Sequence, residues 1–106
     1  MKAYIMGNYT EKAFQGFLKD PKTDRKAVVE KLTKAMGGTM HSMDIVRGSY
    51  DFLAVFEGDF AQGAGIKMAT EASGTLCNLT ILEEINLNDV AAHAAKIAQK
   101  YKGVGQ

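Results

Sequence analysis

Tyr50 and Asp51 follow Gly48 and Ser49 directly. A phenol beside a carboxylate can move a proton or hold a ligand by hydrogen bonds, and at a cavity rim Tyr50 would be the donor. The same residues also make a turn without any chemistry. Gly48 would supply a positive φ, Asp51 would cap turn amides and Tyr50 would pack over the hairpin. The turn is the simpler reading, because a side-chain-capped turn needs only these residue types.

Strand alternation yields a second constellation. With Leu53, Val55, Leu79, Ile81, Met43 and Ile45 directed at helices, the opposite face carries Tyr4, Met6, Asn8, Met40, Ser42, Asp44, Asn78 and Thr80. Met and aromatic walls with a few polar groups are how small-molecule pockets are built. Asp44, walled by Met6, Met40, Phe52 and Phe56, would act as a general base if burial raised its pKa. The plainer alternative is a polar, partly wet interface between two copies. A register slip of one residue would swap every face. The ligand-binding candidates are therefore Tyr4, Asn8, Ser42, Asp44, Tyr50, Asn78 and Thr80, and no residue is assigned a catalytic role.

Soft metal ligands form a third set. His41 and Met43 share one strand, and Cys77 belongs to another, a combination suited to copper(I) or haem iron. No Cys-x-x-Cys or His-x-x-x-His spacing accompanies them, and His93 falls on a different helix. Met40, Met43 and Met68 are more simply core fillers. No metal and no cofactor is expected, and no Ser-His-Asp or Cys-His system has the spacing to work.

The elements that must position these residues follow from periodicity and punctuation. Ala3 to Tyr9 has the composition of a strand. Thr10 caps a short helix with Phe14, Phe17 and Leu18 on one face, ended by the polar run that contains Pro21. A longer helix carries Val28, Leu32, Ala35 and Met36, and Gly37-Gly38 closes it. Thr39 to Val46 and Asp51 to Glu57 form a hairpin about the Gly48 turn. Asp59 and Gln62 open a helix with Ala61, Ala64, Gly65, Met68, Ala69 and Ala72 on one stripe, a set of mostly small side chains that would lie close to a sheet. Gly74 closes that helix, and Leu76 to Ile85 is the fourth strand. Asn88 then caps a last helix, residues 88–102, with Val90, Ala94, Ile97, Ala98 and Tyr101 on one face.

The order β-α-β-β-α-β plus a terminal helix predicts a single ferredoxin-like α+β domain over residues 1–106, a sandwich of helices on a four-stranded antiparallel sheet. The third strand, Phe52-Leu53-Ala54-Val55-Phe56, is apolar on both faces. One face has its helices and the other needs a partner, most simply a second copy, so the chain is expected to be a homodimer or higher homo-oligomer.

The stretch Arg47-Gly-Ser-Tyr-Asp-Phe-Leu-Ala-Val-Phe-Glu57 resembles the signature of the GYD-domain family, small α+β proteins named for a Gly-x-Tyr-Asp motif. Tyr9-Thr10-Glu11, Gln15-Gly16, Pro21 with Arg25, Gly37-Gly38, and Gly74 with Thr80 also fall in the family's order. The resemblance covers roughly residues 4 to 86. Lys12-Ala13-Phe14 looks inserted, Gly58 stands where a proline is usual, and the terminal helix lies beyond the shared region. The resemblance implies a ferredoxin-like fold that pairs into a dimeric α+β barrel, with no agreed reaction.

Bulk properties narrow the function further. The chain has 106 residues, 46% hydrophobic and 24% charged, with net charge +1. Such balance does not favour a nucleic-acid binder, which concentrates positive charge to neutralise phosphates. The RNA-recognition module has the same element order, but its base-stacking Gly-aromatic-Gly-Phe run needs a second glycine, and here Asp51 stands inside the run. One cysteine excludes an intrachain disulfide and fits a reducing compartment. The N-terminal residues turn polar too soon for a signal-peptide core, and no apolar run is long enough to span a bilayer, so a cytoplasmic location without membrane association is expected. Two functions remain: small-molecule binding or sensing between paired sheets, and a cofactor-independent enzyme of the monooxygenase or isomerase kind.

Overall fold

Eight elements follow one another in a computed structural model that describes residues 1–106. They are β1 (Lys2–Tyr9), α1 (Glu11–Lys19), α2 (Arg25–Ala35), β2 (Thr39–Ile45), β3 (Phe52–Glu57), α3 (Phe60–Ala72), β4 (Leu76–Glu83) and α4 (Leu87–Lys100). The strands make one antiparallel sheet in the order β2-β3-β1-β4. Central β1 and β3 with crossovers to the edges are the ferredoxin-like arrangement, and the first crossover is built from two helices.

The helix boundaries follow their caps. The Thr10 hydroxyl accepts from Ala13 N–H, and the Asp24 carboxylate from Ala27 N–H at 3.0 Å. Asp59 and Gln62 form a reciprocal capping box, with 2.7 and 3.0 Å bonds. Asn86 rather than Asn88 opens α4, accepting from Asp89 N–H at 3.1 Å, so the helix runs from Leu87 to Lys100 and not over 88–102.

The core lies between the sheet and α1–α3, and it corrects the expected register. Phe52, Ala54 and Phe56 are buried against the helices, while Leu53 and Val55 face the other way. Size complementarity decides this. Phe52 is paired with Gly7 and Phe56 with Ala3, so each large ring on β3 meets a small residue on β1. A Cβ on Gly7 would stand 2.8 Å from Leu79 Cδ1 and 3.1 Å from Phe52 Cζ, which no side chain there tolerates without a shift. A β-bulge between Met40 and Ser42 also places Met40, paired with Phe56, on the helix side. Asp44 therefore has none of Met40, Phe52 or Phe56 as its walls.

Three helices are rotated from their expected faces. On α1, Ala13 and Phe17 turn inward, whereas Phe14 is half exposed and Leu18 is 81% exposed. On α3 the residues turned to the sheet are Gly63, Ile66 and Thr70, whereas Met68 and the whole small-residue stripe with it are exposed. Polar ties to β4 set this rotation. Glu71 accepts from Leu79 N–H at 3.2 Å, and Lys67 bridges both Glu71 oxygens at 3.0 Å. On α2, Val29 and Thr33 turn inward, and Val28 and Leu32 are half exposed.

Every residue of α4 is exposed. The molecule measures 62 × 30 × 23 Å with a radius of gyration of 18.2 Å, against about 13 Å for a compact chain of this length. The excess belongs to α4, which projects as an arm with Val90, Ile97 and Tyr101 uncovered. No helix is long and apolar enough to cross a membrane.

Candidate functional site

All seven ligand-binding candidates are on the sheet face away from α1–α3 or at its edge, but only four hydrogen-bond among themselves, in two separate pairs. The turn between β2 and β3 is closed by Val46 N–H donating to Asp51 O at 2.8 Å. Asp51 N–H in turn donates to Gly7 O at 2.9 Å, and its carboxylate accepts from Tyr9 N–H at 2.9 Å. The Asp51 side chain thus continues the β1–β3 ladder one step beyond the last strand pair. Asn8 Nδ2 lies 3.4 Å from that carboxylate and donates to Ser49 O at 3.2 Å. Asn78 Nδ2 donates to Asn8 Oδ1 at 3.0 Å, and Tyr50 Oη lies 3.3 Å from Thr80 Oγ1.

This network ties the Gly48–Asp51 turn to β1 and β4 at one end of the open face. Asn78 occupies the bulge where β4 shifts register against β1, with φ of 54°, a conformation asparagine tolerates better than most residues. Asn8 spends its amide on the turn and on Asn78, whereas Asn78 Oδ1 has no hydrogen-bond partner. The arrangement is a braced platform rather than an open acid–base pair.

The remaining candidates stand apart. Tyr4 Oη donates to Glu84 at 3.0 Å near the other end of the sheet. Ser42 and Asp44 are on edge strand β2, and exposed Asp44 makes no side-chain hydrogen bond or ion pair. None of the seven lines a cavity in the single chain. Between them lie Met6, Leu53, Val55 and Leu82, an apolar strip open to solvent.

The soft-ligand set is dispersed. Met43 is buried on the helix side of β2, and exposed Cys77 is on β4, the opposite edge of the sheet. His41 Nε2 is 2.6 Å from Glu57 Oε2, and this hydrogen bond holds the Glu57 carboxyl below its ordinary pKa.

The enclosed space is on the helix side, which the chemical reading of the sequence left aside. A cavity of 110 Å³ and two more open clefts, of 320 and 440 Å³, share two lining residues, Tyr9 and Arg25. Two sequence signals point there. Tyr9 ends a strand at a core-facing position, and Arg25 places a cation in the first turn of a helix, against the dipole.

The sheet order, the paired crossovers and the braced hairpin turn define a protein of the ferredoxin-like α+β class. Within that class the chain belongs to the GYD-domain family, whose model matches residues 4–94 and so reaches into α4, further than the resemblance to residue 86 suggests. No curated protein and no solved structure matches the chain.

Proposed function

We propose that this GYD-domain protein is a homo-oligomeric small-molecule-binding or sensing domain, with two sheets face to face and the ligand held between them. The observation that carries this reading is the open face. It presents Leu53 at 42% and Leu82 at 52% exposure beside a rigid polar cluster of Asn8, Asn78, Tyr50 and Thr80. Apolar walls with a few fixed polar groups are the makings of a ligand site once a lid is supplied. A second copy is the natural lid, because the same chain also leaves the apolar side of α4 uncovered. Exposed Cys77 suits a reducing cytoplasm.

The cofactor-independent enzyme is the rival reading, with Asp44 as its base. Exposure of Asp44 and the absence of any partner group favour an interfacial role for that edge. Light scattering at micromolar concentration is expected to give at least twice the 11.5 kDa chain mass. Native mass spectrometry of protein taken directly from cells is expected to show a retained small molecule. A monomer mass would overturn the proposal.

A further inference from the structure

Tyr9 is only 8% exposed, and its hydroxyl is a buried side-chain polar group with no hydrogen-bond partner. Leaving such a group unpaired is costly, so an orphan hydroxyl in a packed region marks a place where a partner belongs. Phe17 and Phe52 hold the ring, with centroids 4.9 and 5.5 Å away, and allow it little freedom to seek water. Arg25, half buried, lines the same three cavities and makes no ion pair.

The nearby carboxylates are occupied elsewhere. Asp24 caps α2 through Ala27 N–H at 3.0 Å, and Asp20 accepts from Lys22 N–H at 3.3 Å. Arg25 and Tyr9, neither with a side-chain hydrogen-bond partner, thus both line the polar crevice under α1 and the apolar cavity under α2 and α3. The inner cavity, 110 Å³, is walled by Val29, Leu32, Ile66, Phe52 and Leu79 among others. An apolar cavity of about 150 Å³ accepts benzene, so this one takes a tail of about four carbons.

We propose that the crevice between α1, α2 and the helix side of the sheet binds a short-chain organic carboxylate. The guanidinium of Arg25 and the Tyr9 hydroxyl hold its head, and its hydrocarbon tail fills the inner cavity. The planar guanidinium of Arg25 matches a carboxylate's two-oxygen geometry. With Lys12 and Lys26 set against Asp20 and Asp24 around the clefts, it leaves a surplus of one positive charge, which suits a carboxylate better than a phosphate at roughly −1.5 to −2. The first turn of α2 adds favourable dipole potential for an anion. This site is on the opposite side of the sheet from the open face and does not depend on oligomerisation.

Titration of the intact protein with pentanoate, followed by amide NMR, tests the assignment. Saturable shifts are expected at Tyr9, Arg25, Val29 and Leu79. Arg25→Gln should weaken binding at least tenfold and Tyr9→Phe several-fold. Tyr9→Phe keeps the ring packing, so its fold provides a control. Acetate, which lacks the tail, and 1-pentanol, which lacks the charge, should each bind at least tenfold more weakly than pentanoate. No saturable binding by millimolar pentanoate, equal affinity in Arg25→Gln, or shifts confined to Leu53, Tyr50 and Thr80 would each overturn the proposal.

Discussion

At Gly48 the backbone takes φ of 147°, and no heavy atom lies within 4 Å of where a Cβ would stand. Space is therefore not the constraint there. Conformation is, because L side chains rarely adopt that angle. Gly48→Val is expected to cost about 1–3 kcal/mol, the range for a residue held in a sparsely populated region. At about 4–8 °C per kcal/mol for a domain this small, thermal unfolding should resolve it easily. An unchanged melting temperature would show that the turn relaxes freely. Asp51, three residues on, has a different task. Its carboxylate takes the Tyr9 N–H that β3 cannot reach, so the turn is sewn to the central strand. The family's Gly-x-Tyr-Asp signature is at least an architectural device, and Tyr50 extends it across to Thr80 on β4.

Among the elements, the strands and most helix ends were legible in the sequence because their signals are local, whereas at α4 two nearby asparagines compete as caps and Asn86, not Asn88, takes the place. Thr10, Asp59, Gly37 and Gly74 act where turn and cap chemistry places them. The strand faces were less legible. β3 is apolar on both sides, so hydrophobicity had no vote, and the outcome rests on Phe52 and Phe56 finding Gly7 and Ala3 across the ladder. Bulges at Met40–Ser42 and opposite Asn8 broke the simple alternation on both edge strands. The candidate site was legible in part. Asn8, Tyr50, Asn78 and Thr80 do converge, whereas Ser42, Asp44 and Tyr4 do not join them. The rotation of α3 depended on a polar contact invisible to periodicity, Glu71 with Leu79 N–H and Lys67. The Lys67 hydrogen bond, then that of Leu79, holds the Glu71 carboxyl below its ordinary value of 4.5. A depressed carboxylate contributes stability that is present above 4.5 and lost as pH falls through the folded-state value. Denaturant unfolding of Glu71→Gln should accordingly show a shallower loss of stability on acidification than the wild type. Parallel curves for the two proteins would mean that the α3–β4 tie carries no net stability.

At the scale of the molecule, an arm and a bare sheet face call for the same explanation. A helix of 14 residues such as α4 is marginal alone in water, so tertiary or quaternary packing must sustain it. The open face is also too small to act alone. At about 4.8 Å between strands and 3.3 Å per residue, a four-stranded face seven residues long covers roughly 440 Å². Two such faces supply about 900 Å², short of the roughly 1,600 Å² typical of a stable specific interface. Packing of α4 on the second copy would make up the difference, with Leu87, Val90, Ile97 and Tyr101 as its apolar side. Two variants divide the contributions. Leu53→Asp places a charge in the centre of the sheet face, and the double change Val90→Asp with Ile97→Asp does so on the arm. All three side chains are already exposed in the single chain, so each variant should keep its fold by amide NMR. Each is expected to shift the assembly to the 11.5 kDa species at micromolar concentration. If the arm variant keeps its mass while Leu53→Asp dissociates, the sheets alone hold the assembly and α4 serves another contact. If Leu53→Asp keeps its mass, the face-to-face arrangement is wrong, and with it the space proposed for the ligand.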